Sequence, residues 1–332
     1  MGYWLQRVAL GILLLFSVSV LTFGAMNVLG DPLFNIVGPT AIQYDELESF
    51  ASDGSITPQD QKTLDVLRSA REEYNLEKPL VTRYRLWVAD FVTGDFGVQF
   101  SEDGEPPVWN LIKERIPRTV SLLVLAQLMA AVIAIPWAVL AASRPQRPFD
   151  RSSMVVSFGL LALPSFALGI ILKYAFAIKF NIFPQTYTAG DPLKSHVWQL
   201  ILPALTIALP AAAVYQRLLR TDLITTLQDD FILMARSKGM SKRRVLFGHA
   251  LRPSMFSFIT VFGINTGALI GGTLVIERVF RIPGLGTAIV EAILREDFPV
   301  VLAVVILISA AFVVINLLVD ILYTIIDPRV SR

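Results

Sequence analysis

Six long stretches of this chain carry almost no charged side chains, and that pattern leaves few folds open to it. A hydrocarbon layer about 30 Å thick takes roughly 20 apolar residues of α-helix to cross, and inside it every backbone N–H and C=O must be satisfied within the segment itself. The stretches run from Val8 to Leu29, Thr119 to Ala142, Ser152 to about Phe180, Trp198 to Leu218, Pro253 to Ile276 and Val300 to Leu322. At 332 residues and 54% hydrophobic, with mean hydropathy +0.59, the chain is too apolar for a soluble globular protein. It reads as an all-α integral membrane protein with six transmembrane helices. Residues 1–29 hold the N-terminus and first span, 30–118 a polar, acidic insert, and 119–329 the remaining five spans.

Orientation follows from where the basic residues lie. The short loop from Ser143 to Arg151 holds Arg144, Arg147 and Arg151, and the segment from Arg217 to Arg252 holds Arg220, Arg236, Lys238, Lys242, Arg243 and Arg244. Both belong on the cytoplasmic side by the positive-inside rule. Both termini are then cytoplasmic, and the acidic insert lies outside as a soluble region with a helix near Pro58 to Tyr74. Val8 to Gly30 is longer than a signal-peptide core and lacks a small-x-small cleavage site, so a retained anchor is expected.

Several chemistries are missing. Without cysteine there is no disulfide, iron–sulfur cluster or thiolate metal site, and His196 and His249 are the only imidazoles, far apart in sequence. No G-x-x-x-x-G-K-[ST] loop cradles a phosphate, and no G-x-S-x-G elbow presents a nucleophile. A net charge of +2 says little about nucleic acid. Ionisable groups within spans are scarce: Lys173 and Asp320 are the clearest. Lys173 either meets the carboxylate of a passing substrate or snorkels to the interface. Pro136, Pro164, Pro203 and Pro210 kink spans, shaping a cavity or only the packing. Gly263, Gly267, Gly271 and Gly272 permit close helix contact or line a pore.

The basic insert Asp230 to His249 stands out between two apolar runs. Phe231, Met234 and Ala235 recur at i, i+3 and i+4 and give one apolar face, away from Arg236 and Lys238. Gly239 suits the left-handed position past a helix end, and Ser241 is a good N-cap for the helix that follows. The pattern is helix, glycine turn, helix: either a docking element at 219–252 or a solvated connector.

The motifs in order are Gly30-Asp31-Pro32, Asn75-Leu76-Glu77-Lys78-Pro79, Tyr84-Arg85-Leu86-Trp87, Gly94-Asp95-Phe96-Gly97 and Arg115-Ile116-Pro117-Arg118-Thr119. Then come Ala162-Leu163-Pro164-Ser165-Phe166, Arg236-Ser237-Lys238-Gly239, His249-Ala250-Leu251-Arg252, Ile282-Pro283-Gly284-Leu285-Gly286, Asn316 to Asp320, and Asp327-Pro328-Arg329. In this order and at these spacings the chain resembles, over nearly its whole length, the permease subunits of ABC importers for oligopeptides and dipeptides, and specifically the first of the two such permeases.

The resemblance implies a multi-pass protein of a bacterial-type plasma membrane that pairs with a second, similar permease, two ATPase subunits or domains and an extracytoplasmic peptide-binding protein. It implies no cofactor in this chain, with ATP and Mg bound by the ATPases. The basic insert corresponds to the family's coupling loop, in which Phe231, Met234, Ala235, Arg236, Gly239 and Ser241 would engage the cytosolic ATPase. Leu233 and Met234 stand where the general motif has Glu and Ala, whereas Ala235 and Gly239 match it. Substrate contacts are unassigned apart from Lys173. The stretch from Pro39 to Thr63 looks longer than the family's usual external insert and is either a contact surface for the binding protein or a solvated loop. The rival cargoes are nickel, glutathione or antibiotic peptides; the rival classes are a stand-alone secondary carrier or channel and a membrane scaffold.

Overall fold

A computed structural model describes residues 2–29, 33, 38–99, 106–188, 190 and 193–326. The motifs Gly30-Asp31-Pro32 and Asp327-Pro328-Arg329 lie outside the described residues. Among those described, the chain is helical nearly throughout, and the only extended pairing is a single antiparallel bridge between Val98 and Pro107. We number the helices α1 (Gly2–Leu29), α2 (Tyr44–Asp53), α3 (Pro58–Glu73), α4 (Leu80–Thr93), α5 (Val108–Ser143), α6 (Pro148–Ala162), α7 (Ser165–Lys179), α8 (Leu193–Thr226), α9 (Asp230–Ser237), α10 (Lys242–Phe280), α11 (Leu285–Leu294) and α12 (Phe298–Ile326). Five of them, α1, α5, α8, α10 and α12, are each long and apolar enough to cross a bilayer.

The third apolar stretch is not one straight helix. α6 and α7 meet at an angle of 104°. Leu163, just before Pro164, is extended (φ −85°, ψ 128°), because a proline ring disfavours the α conformation in the residue ahead of it. Pro203 and Pro210 stay inside the continuous helix α8, as Pro117 and Pro136 stay inside α5. Packing accounts for the difference. Leu202 and Ala204 beside Pro203 are fully buried, so neighbours hold the helix on course, whereas residues 161–164 are all exposed and nothing opposes the break.

Two helices also begin earlier than hydropathy alone places the spans. α5 starts at Val108, because residues 108–118 are already helical although polar. α10 runs unbroken through Pro253; a π turn over Val245–Ala250 widens the backbone just ahead of the ring that would otherwise strike a carbonyl one turn back.

Packing divides the chain into two compact units and groups it differently from hydropathy. The first comprises Met1–Arg7, Arg115–Thr287 and Ala311–Arg332, the second Val8–Glu114 and Ala288–Ala310. In the first, α5, α8 and α10 enclose an apolar core in which Ala130, Ala134, Ala138, Ala208 and Ala212 let the helices approach around Tyr215 and Leu219. The Tyr215 hydroxyl donates to Gln127 Oε1 (3.0 Å), and Gln127 Nε2 donates to Thr266 Oγ1 and the Phe262 carbonyl, so α5, α8 and α10 share one buried polar junction. Gly263 and Gly267 pack against α12: a Cβ at 263 would overlap Val319, and one at 267 would lie 3.1 Å from Phe312. Gly271 faces open space.

The second unit has its own small core. Leu33, Tyr44, Leu47, Leu64 and Leu67 are buried between α2 and α3, and the Arg71 guanidinium lies 4.1 Å from the centre of the Tyr44 ring. Thr57 caps α3, its hydroxyl oxygen accepting from the Asp60 amide at 3.2 Å. Helix α4 lies against α1 through aromatic contacts of Tyr84 and Trp87 with Phe23, each 5.5 Å between centroids, and through a 2.7 Å hydrogen bond between Tyr84 and Ser19. That is why most of α1 groups with the polar insert.

Candidate functional site

Helix α9 ends as its sequence dictates. Gly239 sits at φ +79°, a left-handed conformation that costs other L-residues energy. Its amide donates to the Arg236 carbonyl (2.9 Å), and the Met240 amide reaches back to the Ala235 carbonyl (3.4 Å). This pair of bonds is the Schellman ending, which satisfies carbonyls the helix leaves open. Two residues later Ser241 caps α10, accepting from the Arg244 amide at 3.4 Å. One helix thus ends and the next begins within a few residues, and a Cβ added at Gly239 would meet nothing within 4 Å.

The apolar face expected from Phe231, Met234 and Ala235 divides in two. Ala235 (6% exposed) turns inward with Ile232 (0%), and both join the core containing Leu219, Leu223, Val245 and Ala250. Phe231 and Met234 remain 45% and 60% exposed, with Leu233 and Phe247 also open. The correction has a simple cause: α9 has only eight residues, and one side of it must anchor the turn to the body of the protein. Ile232 supplies that anchor, and spacing alone could not separate the anchored side from the free one. Arg236, Lys238, Lys242, Arg243 and Arg244 are exposed around the same turn. The result is an exposed apolar patch held by a buried foot, with Asp229 and Asp230 exposed where the helix starts and the five cations exposed from its last turn onward.

The frame behind the turn is polar and closed. Asp150, 1% exposed, is paired with Arg220, whose Nη2 donates to Asp150 Oδ2 at 2.6 Å, and the Gln146 amide donates to the same oxygen at 2.8 Å. Gln216 accepts from the Ser157 hydroxyl and donates to the Ser153 oxygen. These bonds tie α6 and the three-arginine loop to α8. The sequence held a signal for the pair, a single Asp among arginines, but no indication of its partner.

Lys173 is not close to the turn. Its ammonium donates to the Val279 carbonyl at 2.8 Å and lies 5.5 Å from the centre of the Phe280 ring, so it satisfies the end of α10. A cavity of about 450 Å³ opens among α5, α10 and α12, lined by Ala131, Phe256, Phe262, Thr266 and Leu318 among others, with no charged side chain in its wall.

Comparison with known proteins is consistent with this architecture. Residues 134–332 match the family model described as "Binding-protein-dependent transport system inner membrane component". The chain is 33% identical over 335 residues to the oligopeptide transport system permease protein AppB of Bacillus subtilis, covering 99% of both chains. It is 34% identical to a probable peptide ABC transporter permease protein of Sinorhizobium fredii, over 99% of this chain and 98% of that one. It is 32% identical to the glutathione transport system permease protein GsiC of Escherichia coli, over 99% of each.

Proposed function

The chain belongs to the family of binding-protein-dependent inner-membrane transport components, the permeases of ABC importers, and from that premise we propose that it is one of two permease subunits of an ATP-driven importer of short peptides. It is a multi-pass protein of the bacterial plasma membrane and a transport subunit. In this reading the basic turn faces the cytosol and the acidic insert lies outside. Two ATPases supply hydrolysis with their own ATP and Mg, a second permease completes the pathway, and an external binding protein delivers cargo.

The observation that carries the reading is the divided helix α9, with Ile232 and Ala235 buried while Phe231 and Met234 stay open beside five exposed cations. A helix that only connected two spans would have no cause to present two large apolar side chains to water. Burying their free surface in a partner's groove contributes on the order of 1 kcal/mol for each. The cations steer an acidic rim towards the patch, and the buried foot transmits a push from the groove into α8 and α10. Closure of the ATPases would then tilt the spans and expose the pathway to one side at a time, with no covalent step in this chain.

Met234→Asp tests the reading in the assembled transporter. Labelled tripeptide uptake is expected to fall at least tenfold, together with the yield of ATPase co-purified with the permease, while the variant permease accumulates in the membrane as before. Normal uptake sinks the docking assignment, as does ATP-driven uptake by this chain reconstituted alone. Gly239→Arg is expected to leave insertion intact and to break the link between hydrolysis and uptake.

A second cargo reading, glutathione, is supported by the likeness to GsiC over nearly the full length. The uncharged wall of the 450 Å³ cavity favours neither cargo. Competition of tripeptide against glutathione in the uptake assay separates the two.

A further inference from the structure

At the end of α10 away from Gly239, Glu277 is 0% exposed. A carboxylate so deeply buried is costly unless each oxygen is answered by donors. Here both are. Oε1 accepts from the Thr119 hydroxyl at 2.6 Å, and Oε2 accepts from the amides of Gly286 (2.7 Å) and Thr287 (3.2 Å) at the start of α11. The Thr119 oxygen accepts in turn from the Leu285 amide at 2.8 Å.

The carbonyls of the same loop are held from α5. Arg118 Nη1 donates to the Pro283 carbonyl (3.1 Å), and Arg115 Nη1 reaches the Gly284 carbonyl (3.4 Å). The two family motifs Arg115 to Thr119 and Ile282 to Gly286 therefore meet around one side chain. Both glycines are required by space. A Cβ at 284 would overlap the Glu277 carboxyl group, and one at 286 would overlap the Leu274 backbone.

No neutral side chain of the same length reproduces this. Glutamine offers one acceptor oxygen, and its NH2 would face the Thr119 hydroxyl proton that the carboxylate accepts, so that proton would have to turn to another acceptor. Helix α10 is continuous over 39 residues, about 58 Å at 1.5 Å per residue, with the docking turn at one end and this carboxylate near the other.

We propose that Glu277 is a positioning residue of transport: its carboxylate clamps the segment Ile282–Thr287 and the start of the α5 span onto α10, so that movement of α10 from its Gly239 end reaches that segment. This rests on the reading of the turn as the place where the ATPase docks. Without the clamp, α10 still moves and hydrolysis continues, but the far segment no longer follows.

The test uses the complete assembly in proteoliposomes, with Glu277→Ala, Glu277→Gln and Thr119→Val, measuring uptake of radiolabelled tri-alanine and ATP hydrolysis on the same vesicles. The clamp predicts at least a tenfold fall in uptake per ATP for Glu277→Ala and about threefold for the other two, with at least half the hydrolysis retained. A role in stability alone lowers the amount of assembly and leaves uptake per ATP unchanged; that result overturns the proposal. If Glu277→Ala fails to assemble, the two milder variants decide by the same ratio.

A readout independent of cargo uses the absence of cysteine from this chain, in an assembly whose partner subunits have had any cysteine replaced. Spin labels on Val120→Cys and Arg281→Cys should give a narrow distance distribution that broadens when Glu277→Ala is added. An unchanged width overturns the clamp. Broadening in an assembly whose unsubstituted form moves no tri-alanine shows instead that the clamp stands and the assigned function fails.

Discussion

Gly239 and Gly286 lie beyond opposite ends of the same helix, and the protein needs each for a reason that does not apply to the other. Gly239 adopts φ +79° with nothing within 4 Å of where a Cβ would be, so its constraint is conformational. Gly286 lies outside the left-handed region, yet a Cβ there would overlap Leu274 and the Glu277 carboxylate, so its constraint is space. The first belongs to an exposed turn and the second to a turn enclosed by the protein's own helices. A turn can be built from local geometry alone, whereas a clamp needs other elements to close on it.

Substitutions can break this contrast. Gly286→Ala is expected to cost the most, about 3 kcal/mol, because a backbone rather than the tip of a flexible side chain stands in the way; a thermal-unfolding midpoint equal to that of the parent would remove the spatial argument. Gly239→Ala should cost about 1–2 kcal/mol from strain alone, and Gly239→Asn less, since asparagine tolerates the left-handed region. At 286 the order should reverse, with Asn worse than Ala. The same ranking at both positions would mean that the two glycines are not of different kinds.

Ser241→Ala should have a smaller effect, about 0.5 kcal/mol, the low end for an N-cap because its bond is long at 3.4 Å; hydrogen exchange at the Arg244 amide reports it. Gly54, at φ +78° with nothing near a Cβ, is a third turn of the conformational kind. Beside it, Ser55 donates to the Asp53 carboxylate through its hydroxyl and its amide and holds that carboxyl below its ordinary value. A lowered pKa means that the bonds contribute above the unfolded value and are lost as pH falls through the folded one. Protection of the Ser55 amide, measured against the exchange rate of an unstructured chain, should therefore fall on acidification below about pH 4, and Ser55→Ala, which keeps the amide bond and removes the hydroxyl one, should move Asp53 part of the way back to the ordinary range. If that protection is flat with pH, the two bonds do not hold the turn.

What was legible in the chain was what depends on near neighbours. Five apolar spans, the glycine turn and the Ser241 cap each rest on residues within a few positions of one another, and all are found. The third stretch was legible as apolar but not as broken, because a proline bends a helix or not according to the packing around it: buried beside Pro203, absent beside Pro164. In the site, Phe231 and Met234 were legible as apolar and at helical spacing. The inward turn of Ala235 was not, since Ile232 competes for the same short helix and only the core beneath decides between them.

Glu277 was the least legible residue of all, standing in the chain just past the fifth apolar stretch, which ends at Ile276. Its three partners come from Thr119, 158 positions earlier, and from Gly286 and Thr287 across the turn. No period or local motif marks such a meeting.

By itself the amino-acid sequence determined that this protein lives in a bilayer, where its basic turn lies along the chain, and how that turn bends, because hydrophobic length and backbone conformation are properties of adjacent residues. Only the tertiary structure decided which side of α9 remains open, where the third apolar stretch breaks, and that one buried carboxylate joins two distant motifs. Those outcomes depend on burial, and burial is settled by segments that meet only after the chain has folded.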